Sequence, residues 1–253
     1  MSINYLEREH NSRLAYRKLD ADDRGKNLPT VMFCGGFKSD MEGTKAQFLE
    51  QECRSRGQGF IRFDYSGHGA SDGAFEDGTI GLWKDDALAI LDELTQGAVI
   101  LAGSSMGGWI ALLLARERPA RIKGIIGIAA APDFTKDIYE SDFDNKMKET
   151  LAKDGFIDIP SEYSEQPYRI SKALIEDGAR HCLLDRPLAL DMPIRLLQGM
   201  KDQDVPWQKA YRIKNALLDE SRAEVILVES GDHRLSRPED LVLLAQQVQD
   251  LSL

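Results

Sequence analysis

Short apolar runs that alternate with amphipathic stretches along almost the whole chain constrain the fold more than any other feature. Thr30-Val-Met-Phe-Cys34, Phe60-Ile-Arg-Phe63, Ala98-Val-Ile-Leu-Ala102, residues 122–130, Pro193-Ile-Arg-Leu-Leu197 and Ala223-Glu-Val-Ile-Leu-Val228 are runs of this kind. Continuous runs of this length suit strands buried on both faces. Between them lie helical stretches at about 43–56, 79–95, 106–117, 206–218 and 237–251. Such alternation predicts an α/β fold: a doubly wound, mostly parallel sheet with helices on both faces. Residues 12–19 alternate polar and apolar side chains, as a half-buried outer strand does.

The alternation is interrupted once. Between Pro132 and Arg186 the chain reads as helix, with Tyr139, Phe143, Met147 and Leu151 recurring at i+4 along one side. A second helical stretch, about 165–181, is bounded by Pro160 and Pro167 before it and Pro187 after it. This predicts a core of residues 1–132 and 186–253, with residues 133–185 as a helical lid over the strand edge. Tyr139, Phe143 and Met147 are then candidate substrate-binding residues; the competing reading is that their stripe packs the insertion onto the body.

Composition narrows the function classes. The 253 residues suffice for one large domain or a core with an inserted sub-domain, and 42% apolar with 29% charged residues is ordinary for a soluble chain. With 32 basic and 42 acidic side chains the net charge is −10 and there is no basic stripe, which argues against a nucleic-acid partner. Apolar runs such as Ile110–Ala115 are far too short for an integral membrane segment. The opening residues lack an apolar h-region and carry acids. They predict a cytoplasmic protein, with the mitochondrial matrix in play only if a transit peptide has been removed. Three separated cysteines without a CxxC, and histidines at 10, 68, 181 and 233 without metal-ligand spacing, predict no metal site, and the serine chemistry read below implies no organic cofactor.

Gly103-Ser-Ser-Met-Gly107 matches G-x-S-x-G, directly after an apolar strand and at the start of a helix. A nucleophilic serine on such a turn needs small neighbours, because the turn is sharp and strained. A second match, Gly69-Ala-Ser-Asp-Gly73, lies inside a loop, so Ser71 reads as turn chemistry and Ser105 as the nucleophile. A serine hydroxyl needs a base, and the base an orienting carboxylate, in the chain order Ser…Asp…His. His233 follows the last strand. The carboxylate is expected after the preceding strand, at Asp202, with Asp204 as the fallback or a helix cap. Asp232 adjoins the histidine and cannot easily fold back on it, His68 fails on order, and His181 lies in the insertion. An oxyanion hole needs two backbone donors. They are expected at Met106, just after the nucleophile, and at Phe37, in the loop that follows Cys34.

Taken together, these residues resemble the α/β-hydrolase fold family of serine hydrolases. Phe37–Lys45, Ile61–Gly67, Gly103–Trp109, His181–Leu184, Pro193–Asp202, Val205–Trp207 and Asp232–Arg234 are similar to its palmitoyl-protein thioesterase and acyl-glucuronide esterase branch. Gly35 is a departure, standing where the branch carries proline. The resemblance implies acyl transfer to water from a small acyl ester or thioester, with an S-acylated protein among the candidate substrates. A carboxylesterase or monoacylglycerol-type lipase is the alternative. A non-catalytic binding protein on this fold would be expected to have lost a triad member, and all three are present.

Overall fold

The computed structural model describes residues 2–8, 12–159 and 167–253. His10, Pro160 and the first residues of the stretch expected at 165–181 lie outside them. The sheet has eight strands: β1 (Asn4–Glu7), β2 (Arg13–Leu19), β3 (Thr30–Cys34), β4 (Phe60–Phe63), β5 (Val99–Ser104), β6 (Ile122–Ile128), β9 (Ile194–Gly199) and β10 (Ala223–Val228). Their spatial order is β1-β2-β4-β3-β5-β6-β9-β10. From β4 onward every pairing is parallel, whereas β1 with β2 and β2 with β4 are antiparallel. The α/β reading of the sequence is what the structure shows; β1, a short and exposed edge strand, is an addition to it.

Both faces of the central strands are covered, and side chains alternate between two cores. Val31 and Phe33 of β3 join Ile100 and Ala102 of β5 beneath α1 (Thr44–Arg56) and α8 (Pro238–Ser252). Met32, Cys34, Val99 and Leu101 face the opposite core, with α2 (Ile80–Leu94), α3 (Met106–Glu117) and α7 (Gln208–Ala216). Burial on both faces is why these strands are continuous apolar runs rather than alternating ones. Helix α3 is buried from Met106 through Ala115, which fits a sequence that is apolar all round. After β3 the chain runs to β4 on one side and returns to β5 on the other. Loops leaving the carboxyl ends of β3 and β5 therefore diverge, and that divergence opens a crevice.

The segment between β6 and β9 differs from the all-helical expectation. It holds α4 (Phe134–Asp137), a π-turn at Ile138–Asp142, α5 (Asn145–Asp154), β7 (Phe156–Ile159), β8 (Tyr168–Ser171) and α6 (Lys172–Arg180). β7 and β8 form an antiparallel pair in which Asp158 lies opposite Arg169. The two side chains make a double hydrogen bond at 2.8 and 2.9 Å, and the Arg169 guanidinium lies 4.0 Å from the centre of the Phe156 ring. Phe-Ile-Asp-Ile alternates with period two, which suits a strand better than a helix. The expected stripe is also broken. Phe143 is extended, and Asp144 caps α5 by accepting the Met147 N–H at 2.8 Å.

Asp133 clips the two ends of this segment together. Its buried carboxylate accepts the N–H groups of Leu183 and Leu184, both at 2.8 Å. Lys209 of α7, itself buried, reaches the Pro132 carbonyl at 3.2 Å and pairs with Asp137.

Candidate active site

Ser105 stands where β5 turns into α3, with φ 53° and ψ −118°. That left-handed backbone is rare for a residue with a side chain and holds about 1–3 kcal/mol of strain. Neighbouring backbone restrains it: the Ser105 N–H donates to the Ile128 carbonyl at 2.9 Å, and the Ser105 carbonyl accepts the Ala131 N–H at 3.0 Å. The flanking glycines are sterically required. A Cβ at Gly103 would lie 2.2 Å from the Gly107 carbonyl oxygen, and one at Gly107 would lie 2.1 Å from that of Cys34. Ser104, the variable residue of the motif, is buried.

Asp202 follows β9 and His233 follows β10. The Asp202 side chain is sealed from solvent, and its Oδ2 lies 2.9 Å from His233 Nδ1. The carboxylate is saturated: Oδ2 also accepts Gln198 Nε2 at 3.0 Å, and Oδ1 accepts the N–H groups of Asp204 and Val205 at 2.9 and 2.8 Å. A carboxylate that only accepts requires the proton on Nδ1 of the ring, which places the ring's lone pair on Nε2. Asp204 is more exposed, and its Oδ2 lies 4.0 Å from the same ring nitrogen. The residue at the N-terminal cap of α7 is Trp207, whose side chain makes no capping hydrogen bond. Asp232 is committed to the Leu235 N–H at 2.9 Å.

Ser105 and His233 share one groove of about 460 Å³, walled by Gly36, Phe37, Lys38, Lys45, Tyr168 and Arg234 among others. The loop after β3 comes close to the elbow; a Cβ on Gly36 would sit 3.5 Å from that of Ser105. The N–H of Met106 is the first of α3 and has no partner within the helix. Among the described residues neither it nor the Phe37 N–H donates to another protein group. The Phe37 ring is held edge-on by Phe75, Trp83, Phe134 and Tyr168. Lys45 donates to the Arg234 carbonyl at 2.5 Å, and burial brings its ammonium pKa down to about 8.

The three insertion residues lie elsewhere. None of Tyr139, Phe143 and Met147 lines the groove of Ser105. Phe143 is buried in the body's core, Met147 packs against that core, and Tyr139 borders a separate cavity of about 430 Å³ between α5 and α6. The insertion reaches the groove of Ser105 through Tyr168 instead. No periodicity flagged this residue, because it belongs to β8, a strand whose pairing with β7 is not local in sequence. Ser71 ties its loop to β2, accepting the Ala15 N–H at 2.8 Å and donating to the Asp64 carbonyl at 2.6 Å. His181 closes α6, its carbonyl accepting Trp109 Nε1 at 3.2 Å. Gln198, Lys38, Lys45 and Arg234 were not singled out by the sequence, since nothing local distinguishes them from ordinary surface or strand residues. No helix among the described residues is long and apolar enough to cross a membrane.

Comparison with known proteins agrees with the fold. The family model described as the alpha/beta hydrolase fold matches residues 29–158. The mouse protein named palmitoyl-protein thioesterase ABHD10, mitochondrial, is 40% identical over 251 residues, which cover 99% of this chain and 82% of that protein. The solved structure of mouse alpha/beta hydrolase domain-containing protein 10 superposes with a TM-score of 0.90 at 38% identity, covering 99% of this chain and 98% of that one. A crystal structure from Agrobacterium vitis S4, described only as a hydrolase, reaches 0.93 at 39% identity, covering 100% and 99% of the two chains. The mouse relative carries a mitochondrial name, so the expectation of a cytoplasmic protein finds no support here. Matched along nearly its full length, the chain belongs to the α/β-hydrolase fold family.

Proposed function

We propose that the protein hydrolyses acyl esters and thioesters with Ser105 as nucleophile, His233 as general base and Asp202 as the group that orients the base. The observation that carries this reading is the Asp202–His233 hydrogen bond at 2.9 Å, with His233 and the elbow serine on one groove. His233 Nε2 takes the Ser105 hydroxyl proton as Oγ attacks the carbonyl carbon. The N–H groups of Met106 and Phe37 receive the oxyanion. His233 then gives its proton to the departing thiol or alcohol, and an acyl-enzyme remains. Water, deprotonated by the same nitrogen, attacks that acyl group and releases the acid and Ser105. A thiolate leaves more easily than an alkoxide, so thioesters demand less from the acid step.

The names of the relatives favour S-acylated proteins or smaller long-chain thioesters as substrates. A second reading, a small carboxylic ester, draws on the groove itself, where Lys38, Asp40, Lys45, Asp204 and Arg234 stand among the lining residues. Residues 133–185 act as a lid in this proposal, clipped at the base by Asp133 and contributing Tyr168 to the groove wall. The test is hydrolysis of matched acyl thioesters and oxyesters from short to long chains, with Ser105→Ala as control. Turnover lost in Ser105→Ala and rising with chain length on thioesters supports the first reading, and a preference for short oxyesters supports the second. Turnover that survives Ser105→Ala rejects the nucleophile.

A further inference from the structure

The turn after β4, Ser66-Gly-His-Gly-Ala-Ser-Asp-Gly73, takes no part in the chemistry above, yet it holds a buried histidine 3% exposed. Its ring is enclosed by Tyr65, Phe75 and Trp83 at 5.6, 5.1 and 5.2 Å between centroids. His68 Nε2 faces the backbone N–H of Lys38 at 3.1 Å, and Nδ1 faces the Ser66 carbonyl at 3.2 Å. A backbone N–H can only donate and a carbonyl can only accept, so the pair of contacts admits one protonation state: neutral, with hydrogen on Nδ1. Burial agrees, bringing the ring's pKa down to about 4. The acceptor of that Nδ1–H is itself fixed. The Ser66 carbonyl also accepts Trp83 Nε1 at 3.1 Å, and the Ser66 N–H donates to buried Asp86 at 2.8 Å.

Lys38 sits at φ 56°, in the left-handed region, where the loop after β3 reverses. Its N–H belongs to the peptide immediately after Phe37. Asp64, between β4 and this turn, holds the loop a second time by accepting the Met41 N–H at 2.6 Å, and it accepts the turn's Ala70 N–H at 2.9 Å. We propose that His68 is a positioning residue for the oxyanion hole: its Nε2 accepts the Lys38 N–H and so fixes the adjoining Phe37 amide against Ser105. This rests on the assignment of the Phe37 N–H as an oxyanion donor made above. The histidine makes no contact with substrate; it acts through the backbone.

The test compares His68→Phe, which keeps an aromatic ring and deletes the acceptor, with His68→Gln, whose Oε1 can stand where Nε2 stood. A misplaced donor weakens the transition state and spares the ground state. His68→Phe should therefore lower kcat by roughly 10- to 100-fold with little change in KM, short of the roughly 10²–10³-fold that deletion of a donor costs. Affinity for a trifluoromethyl ketone, which forms an oxyanion on the serine, should fall by a similar factor, and His68→Gln should regain most of both losses. A folded His68→Phe with unchanged kcat overturns the proposal, as does a loss that His68→Gln does not restore. If His68→Phe fails to fold, nitrogen NMR of the unaltered protein decides: a proton on Nδ1 at neutral pH supports the proposal, and one on Nε2 overturns it. Ser105→Ala separates the two levels. Turnover near the parent's rate there sinks the nucleophile assignment, whereas a crippled Ser105→Ala beside an unimpaired His68→Phe sinks the role of His68 alone.

Discussion

Replacing Asp202 by asparagine exchanges one oxygen for an NH2 group at nearly constant volume, so it isolates charge and hydrogen-bond direction. Both carboxylate oxygens are committed. Oδ1 accepts the N–H groups of Asp204 and Val205 at 2.9 and 2.8 Å, and Oδ2 accepts His233 Nδ1 at 2.9 Å and Gln198 Nε2 at 3.0 Å. An amide nitrogen cannot accept. Turned toward the loop, it would meet two backbone donors that cannot rotate away, so the amide oxygen takes that side and the NH2 faces His233. The ring must then accept at Nδ1, which moves its proton to Nε2, the atom required to take the proton of Ser105. In the serine-hydrolase template the same change lowers kcat by roughly 10⁴-fold, or about 5 kcal/mol of barrier.

The assay is steady-state hydrolysis of one thioester by the parent, Asp202→Asn and Asp204→Asn, with circular dichroism to show that all three are folded. Asp204 is partly exposed and its Oδ2 lies 4.0 Å from the ring nitrogen. Asp204→Asn should therefore change kcat by no more than about threefold, as expected for a weakly coupled surface charge. A folded Asp202→Asn within tenfold of the parent, beside a crippled Asp204→Asn, would show that the orienting carboxylate had been misassigned.

Other substitutions test the frame around the site. Gly107→Ala places a Cβ 2.1 Å from the Cys34 carbonyl oxygen and 2.5 Å from that of Gly35, both backbone atoms. Thermal unfolding should show a loss of about 1–3 kcal/mol or more, and an unchanged Tm would refute the steric account of the motif. Asp133→Ala leaves the N–H groups of Leu183 and Leu184 without their acceptor, which should cost about 2–5 kcal/mol in urea unfolding. A loss below the error of the measurement would show that the clip is idle. Acid stability tests His68, whose pKa falls from the usual 6.5 to about 4 in the folded protein. Between those values the unfolded chain takes up a proton that the folded one refuses. Stability should thus be intact above pH 6.5 and decline by about 3 kcal/mol on approaching pH 4, a component that His68→Phe should lack when urea midpoints are compared across that range.

The parts of this molecule legible in its sequence are those that local chemistry constrains tightly. A strand buried on both faces must be apolar throughout, and Thr30–Cys34 and Val99–Ser104 are strands for that reason. Gly103 and Gly107 have no steric alternative, so the elbow is written in five residues. The insertion was less legible, because its structure depends on non-local pairing. Phe156–Ile159 finds its partner only at Tyr168–Ser171, and a stripe at i+4 does not reveal that Asp144 starts a new helix between Phe143 and Met147. Groove walls are harder still. Tyr168, Lys45 and Arg234 come from three distant segments and meet only once the sheet exists. Chain order separated His233 from His68, but it could not show where the second histidine's ring nitrogens would point.

The sheet also explains why the chemical parts and the insertion can vary separately. Ser105, Asp202 and His233 follow the carboxyl ends of β5, β9 and β10, and Phe37 follows that of β3. Parallel strands keep a spacing of about 4.8 Å. Short loops from those ends can therefore place four groups without help from the insertion. The insertion leaves after β6, between β5 and β9, so its chain departs from the middle of this row. Its base is tied to the body by Asp133 and by the Lys209–Asp137 pair, while the β7–β8 pair reaches the groove at Tyr168. A change at Tyr168 thus alters the groove wall and leaves the Asp202–His233 hydrogen bond, which does not draw on that residue, intact. On the function proposed above, acyl-group selection has a place to change without disturbing the chemistry.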